Sequence, residues 1–353
     1  MAGARIRVLI VDDSALMRQM LSSILSSDPA IEVVGTAPDP LVAREKIKAL
    51  NPDVLTLDVE MPRMDGLAFL EKLMTLRPMP VIMVSSLTER GADVTLKAME
   101  LGAVDVLCKP SDAVASGLQA YARELIDKVK GAANARVRSL GDRPMAAASK
   151  LSVTSIYKST DRLVAIGSST GGVEALRDIV LALPADAPPM VITQHIPPHF
   201  SASFAERLNN LAAVRVKEAK DGDRIVAGHV FIAPGDRHMA VRRSGASLVI
   251  HTYDGPLVSG HKPSVDVLLH SVAEACGSKA VGVILTGMGR DGADGLLAMR
   301  KAGAPTIGQD ESSCVVYGMP KAARELGAVE RELPLSRIAE EILRLCRADV
   351  TRT

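Results

Sequence analysis

No stretch of the 353-residue sequence approaches the roughly 18 consecutive apolar residues of a membrane-spanning helix, and this excludes insertion into a bilayer. Neither sign of charge is in excess. Lys and Arg number 42 against 41 Asp and Glu, a net +1 at pH 7, so bulk charge selects neither nucleic acid nor an anionic membrane as partner. The four cysteines, Cys108, Cys276, Cys314 and Cys346, lack any C-x-x-C spacing and read as reduced, buried thiols of a cytoplasmic protein. The start of the chain reaches Asp12 and Asp13 after only a few apolar residues, which fits a strand and not a signal peptide. A G-x-G-x-x-G motif is also missing, as is a Walker lysine after Gly171-Gly172, and both absences weigh against a nucleotide site.

What is present is a globular composition, 47% hydrophobic, in a chain long enough for two domains of roughly 100 to 200 residues each. From Arg5 to about Val129, short apolar runs alternate with stretches of helical periodicity, the pattern of β/α units around a parallel sheet. Five strands are expected, at Ile6-Val11, Glu32-Ala37, Val54-Leu57, Val81-Val84 and Asp105-Leu107. Helices are expected near Ala15-Leu25, Leu41-Leu50, Leu67-Leu76, Val94-Leu101 and Val114-Val129. Open parallel sheets bind ligands at the carboxyl ends of their strands. There the sequence places Asp12 and Asp13, Asp58, Ser85 with Ser86, and Lys109 before Pro110. Facing carboxylates suit a hard cation such as Mg²⁺, and a lysine opposite would pair with an anion added there. Taken singly, each is equally a solvated strand end or a helix cap.

The acid pair, lone aspartate, hydroxyl and Lys-Pro, in that order, resemble the receiver domain of bacterial response regulators. Leu57-Asp58-Val59-Glu60-Met61-Pro62 and Asp65-Gly66 strengthen the likeness. The resemblance implies a flavodoxin-like (β/α)5 fold with Asp58 as phosphoacceptor and Asp12, Asp13 and Asp58 around Mg²⁺. It further implies that Lys109 and Ser85 contact the phosphoryl group. One departure is visible: Val106 stands where many receivers carry an aromatic switch residue.

Periodicity fails from about Gly131 to Thr160, where Ala, Ser, Arg, Gly and Pro predominate, and residues 130–160 are expected to be a linker. Apolar strands return at Leu163-Ile166, Met190-Thr193 and Ala280-Leu285, again an α/β pattern. Between them, Arg224-Val226, His229-Ile232, Met239-Arg242 and Leu248-His251 are short runs separated by turn residues, read as antiparallel hairpins.

The first of these strands runs into Gly167-Ser168-Ser169-Thr170-Gly171, a G-x-S-x-G sequence able to hold the Ser169 hydroxyl outward on a sharp strand-to-helix turn. By itself the pentapeptide fits a phosphate loop or a plain turn as well. Two further strand ends carry Gln194-His195 and Thr286-Gly-Met-Gly-Arg-Asp291. A neutral imidazole removes a serine proton near pH 7, and a carboxylate holds its tautomer. His199, His238 and His261 remain rival bases. The order Ser, His, Asp differs from the Ser, Asp, His of α/β-hydrolases and excludes an ordinary lipase-like fold.

The segments 166–172, Gln194-His195, Ala233-Pro-Gly-Asp-Arg-His238, His261-Lys-Pro-Ser-Val-Asp266 and 286–292 together resemble the methylesterase domain of the bacterial chemotaxis system. With the receiver, nearly the whole chain is similar to the CheB-type response-regulator protein-glutamate methylesterases. That resemblance implies residues 1–129 as receiver and 161–350 as a Rossmann-like doubly wound methylesterase domain. It implies Ser169 as nucleophile, His195 as base and Asp291 as its orienter, with no cofactor at the esterase site. Thr170 and Met288 are candidate oxyanion donors. The implied partners are a histidine kinase as phosphodonor and chemoreceptors as substrate, their glutamate methyl esters hydrolysed and selected glutamines deamidated in the cytoplasm. Two other readings stay open: a small-molecule esterase or amidase under receiver control, and a non-catalytic phosphate-binding module.

Overall fold

The computed structural model describes residues 4–61, 65–85, 89–110, 115–137, 162–198 and 200–347. The chain divides into two compact units, Met1–Pro144 and Met145–Thr353.

In the first unit, strands β1 (Ile6–Val11), β2 (Ile31–Ala37), β3 (Val54–Asp58), β4 (Val81–Ser85) and β5 (Asp105–Cys108) form one sheet of order β2-β1-β3-β4-β5. Every pairing in it is parallel. Helices α1 (Ala15–Ser26), α2 (Pro40–Leu50), α3 (Gly66–Leu76), α4 (Glu89–Glu100) and α5 (Ala115–Ala133) alternate with the strands, as the periodicity predicts. The first three starts are set by side chains: Ser14 accepts from Met17 N–H, Asp39 from Leu41 and Val42 with Pro40 following, and Asp65 from Leu67. The strand order reverses between β1 and β3, so the crevice at their carboxyl ends lies beside Asp12 and Asp58. Helix α5 runs to Ala133, so the expected linker start at 130 falls in its last turn. Most of that linker lies outside the described residues.

In the second unit the seven-stranded sheet has the order β14-β13-β12-β6-β7-β9-β8. These are β6 (Leu163–Ser168), β7 (Met190–Gln194), β8 (Arg215–Glu218), β9 (His229–Ile232), β12 (Ala280–Ile284), β13 (Thr306–Gln309) and β14 (Arg331–Leu333). All six neighbouring pairs are parallel. The chain moves outward from β6 through β7, returns to β12 on the other side of β6, and continues to β14, which puts a second switch point between β6 and β12. Both central strands are buried along their whole length, as strands covered on both faces must be.

The middle section differs in part from expectation. Among the described residues, only β10 (His238–Ser244) and β11 (Ser247–Tyr253) form an antiparallel hairpin. His229–Ile232 instead joins the main sheet in parallel between β7 and β8. Arg224 makes only an isolated antiparallel bridge to Val249. The hairpin rests on α8 (Val265–Cys276), with Val241 N–H donating to Ser271 Oγ at 2.9 Å. The layers are completed by α6 (Gly172–Leu181), α7 (Phe200–Leu211), α9 (Ala293–Lys301), α10 (Met319–Glu325) and α11 (Leu335–Leu345).

Candidate active site

Strand register brings the first two site residues together. Ser168 pairs with Gln194 at the ends of β6 and β7, so the next residue on each parallel strand, Ser169 and His195, stands side by side at the carboxyl rim. His195 N–H donates to Ser168 O at 3.1 Å, and on the other flank Ser169 N–H donates to Thr286 O at 3.1 Å. The chain then turns at once into α6 through Gly171, whose φ of 76° is left-handed. A side chain at Gly171 would also meet Val315 Cβ at 2.6 Å.

Across from Ser169, Gly287 leaves the room that this side chain occupies. A methyl group there would lie 2.3 Å from Met319 Sδ and 2.8 Å from Ser169 Cβ. Gly287→Ala is therefore expected to destabilise the protein by about 1–3 kcal/mol and to slow any chemistry at the Ser169 hydroxyl as that residue is displaced. Thermal melts and initial rates on one preparation check both effects; a variant with unchanged melt and rate would show that this packing does not locate the serine.

Gln194 joins the two strands from within. Its Nε2 donates to Ser169 O and to His195 O, both at 2.9 Å, and its Oε1 accepts from Ser168 Oγ at 2.6 Å. One buried amide thus holds the backbones of both residues. From sequence it is only a flank of His195, although a polar residue ending a fully buried strand signals such a bond network.

Asp291 comes from the loop after β12 and is 1% exposed. Its Oδ2 accepts from His195 Nε2 at 2.8 Å and from Val265 N–H at 2.7 Å. Its Oδ1 accepts from Ser264 Oγ at 2.8 Å and from Asp266 N–H at 3.0 Å. The carboxylate therefore sits on the N-terminus of α8, where unpaired N–H groups and the helix dipole favour an anion. Burial by itself raises its pKa, but the His195 bond and these backbone donors outweigh burial and hold it at about 2. An ionised Asp291 only accepts, so the proton of neutral His195 lies on Nε2. Nδ1, buried and without a hydrogen-bond partner, carries the free lone pair.

The rival bases separate on geometry. His238 is 1% exposed and uses both ring nitrogens, Nε2 toward Pro256 O at 2.8 Å and Nδ1 accepting from Ser264 N–H at 3.3 Å. His261 stacks on His195 with ring centroids 3.7 Å apart. His199 lies outside the described residues.

Of the candidate oxyanion donors, Thr170 is buried, and its own carbonyl accepts from Thr286 Oγ1 at 3.0 Å. Met288 follows Gly287, which itself lies against Ser169.

In the first unit, carboxylate oxygens of Asp12, Asp13 and Asp58 all lie within 4.8 Å of one another, Asp12 and Asp58 buried and Asp13 exposed. Lys109 Nζ reaches Asp58 Oδ2 at 2.8 Å and Asp12 Oδ2 at 3.2 Å, and both oxygens otherwise lack a hydrogen-bond partner. Ser85 is buried at the end of β4, and its carbonyl accepts from Lys109 N–H at 2.7 Å. Burial raises the Asp58 pKa to about 6 against the opposing pull of Lys109. Buried, underbonded oxygen donors with one exposed carboxylate on the rim fit a hard divalent cation such as Mg²⁺.

Both units match families of known proteins. The model of the response regulator receiver domain matches residues 8–117, and that of the CheB methylesterase matches residues 164–342. A protein-glutamate methylesterase/protein-glutamine glutaminase of Xanthomonas campestris is 58% identical over 348 residues, spanning 96% of this chain and 97% of that protein. Its counterpart in Salmonella typhimurium is 57% identical over 340 residues, with the same two shares. The crystal structure of the Thermotoga maritima CheB methylesterase catalytic domain aligns with a TM-score of 0.52 at 39% identity, covering 53% of this chain and 99% of that one.

Proposed function

The chain belongs to the CheB family of protein-glutamate methylesterases/protein-glutamine glutaminases, and we propose that Ser169, His195 and Asp291 perform its hydrolysis under the control of Asp58. One observation carries this reading: Ser169 and His195 stand side by side, Asp291 fixes Nε2 of the imidazole, and Nδ1 is left free to take a proton. The substrate is the γ-methyl ester of a glutamate on the cytoplasmic helices of a chemoreceptor, and the output is adaptation in a chemotaxis pathway.

Ser169 Oγ attacks the ester carbonyl as His195 Nδ1 takes its proton, and Asp291 stabilises the imidazolium. The N–H groups of Thr170 and Met288 receive the oxyanion. As the intermediate collapses, His195 returns the proton to the methoxy oxygen, methanol leaves, and an acyl-enzyme remains. Water, deprotonated by the same nitrogen, attacks that ester; the second collapse frees the glutamate carboxylate and restores the Ser169 hydroxyl. A glutamine side chain follows the same course with ammonia as leaving group.

In the receiver, Asp58 accepts a phosphoryl group from a histidine kinase, while Lys109 and Ser85 contact the transferred group. Asp12, Asp13 and Asp58 would hold Mg²⁺, which when bound supplies positive charge against the phosphoryl oxygens. Lys109 already neutralises part of the acidic cluster. A tenfold activation requires about 1.4 kcal/mol of bias between slow and fast states, within reach of one charge-assisted contact.

Initial rates of methanol release from methylated receptor, with and without a small-molecule phosphodonor and Mg²⁺, test the scheme. The wild type is expected to accelerate about tenfold or more, and Asp58→Asn to ignore the phosphodonor. A rate indifferent to both changes would remove receiver control. Preference for a small soluble ester over intact receptor would replace the proposed substrate.

A further inference from the structure

The scheme above uses only the edge of the His195 ring, and one face of that ring is covered by a second imidazole. His261 lies over it with centroids 3.7 Å apart and planes 14° from parallel. The placement is built, not incidental. Val258 and His261 exchange two backbone hydrogen bonds, 3.1 and 2.9 Å, closing a tight turn on Ser259 and Gly260. Both central residues are left-handed, φ 52° and 82°. A two-residue turn of this kind demands that conformation, and it is strained for the non-glycine Ser259. The Ser259 hydroxyl is in turn tied to Asp266 Oδ2 at 2.9 Å, while Asp266 Oδ1 accepts from Gly295 N–H at 2.8 Å.

The same turn of α8 thus supports two parts of the site. Ser264, Val265 and Asp266 donate to Asp291, which holds the edge of His195, and the Asp266 carboxylate anchors the turn that sets His261 over its face. This accounts for a segment, His261 to Asp266, whose role the sequence leaves unassigned.

We infer that His261 is a positioning residue for the hydrolysis: stacked on the base, it fixes the plane of the His195 ring so that Nδ1 faces Ser169, and its face carries the imidazolium formed in the transition state. The inference rests on His195 being the base. Its chemistry follows from the stacking. The face of an aromatic ring attracts a cation, and the charge that His195 takes up with the proton of Ser169 forms against the face of His261.

The test uses the full-length protein, His261→Ala and His261→Phe, and methanol release from methylated receptor at one fixed pH near 8. His261→Ala is expected to lose about tenfold or more in kcat with little change in KM. His261→Phe, which returns a flat face without a proton, is expected to recover most of that loss at pH 8. Wild-type kcat in His261→Ala, or a His261→Phe variant no faster than His261→Ala, would overturn the inference. Ser169→Ala run in parallel separates the two levels. If it still turns over, the base assignment beneath the inference fails; if it is inactive while both His261 variants match the wild type, only the role of His261 fails.

Discussion

Ser169→Ala is expected to lower methanol release from methylated receptor by about 10⁴-fold or more while leaving the fold intact. The size follows from what is removed. A hydroxyl that forms the covalent intermediate has no substitute, and what remains is binding and oxyanion stabilisation, typically about 10³ to 10⁴ over water in serine hydrolases. Stability should be spared because Ser169 is held through its backbone: its N–H donates to Thr286 O, and its carbonyl accepts from Gly172 N–H and Gln194 Nε2. The melting profile should therefore lie within about 0.5 kcal/mol of wild type. A large loss of activity at unchanged stability is a signature that a structural role cannot produce.

Asp291→Asn should lose both. The carboxylate accepts four hydrogen bonds, two of them from backbone N–H groups of α8. An amide has one acceptor oxygen, so at least one buried donor faces an NH₂ group, at a cost of about 1–3 kcal/mol. If that NH₂ turns toward His195, it donates to Nε2 and drives the ring proton to Nδ1. The base then points a proton at Ser169 instead of a lone pair, and kcat should fall about 10³ to 10⁴-fold. The pH dependence has a definite sign. Because the folded protein depresses the Asp291 pKa from 3.8 to about 2, its ionised form stabilises the fold fully above about pH 4, and that contribution vanishes as pH falls through 2. The wild-type advantage over Asp291→Asn should therefore hold from pH 5 to 8 and shrink by about 2 kcal/mol toward pH 2. Denaturant titrations at several pH values measure it; an advantage that grows on acidification would contradict the electrostatic account.

Much of this is legible in the sequence because the features are local. Strands buried on both faces announce themselves as unbroken apolar runs, and the chemistry of an open parallel sheet concentrates just past their ends. Asp12, Asp58, Lys109, Ser169 and His195 all lie at such positions. The edges were harder. Arg215–Glu218 and Arg331–Leu333 are short, polar and partly exposed, so neither carries an apolar signal. His229–Ile232 is flanked by turn residues and looks like half of a hairpin; only the packing of the whole unit decides that it pairs in parallel with β7 and β8. The support around the triad is the least legible, because it depends on where helix α8 is aimed. Ser264 ahead of an apolar-periodic stretch marks a helix start, and helix starts bind anions. Nothing local says that the anion is Asp291, 25 to 27 residues away. The same holds for the covering of His195 by His261, which requires the turn at Ser259 and Gly260 to be in place.

The most direct test of the central claim is to look for the covalent bond to Ser169. With a γ-glutamyl peptide carrying a good leaving group, such as a nitrophenyl ester, acylation should outrun deacylation. Rapid mixing is then expected to show a burst of one nitrophenol per protein molecule, and peptide mapping after acid quench to place the acyl mass on the peptide containing Ser169. The same mass on another residue, or nitrophenol release by Ser169→Ala at the wild-type rate, would contradict it.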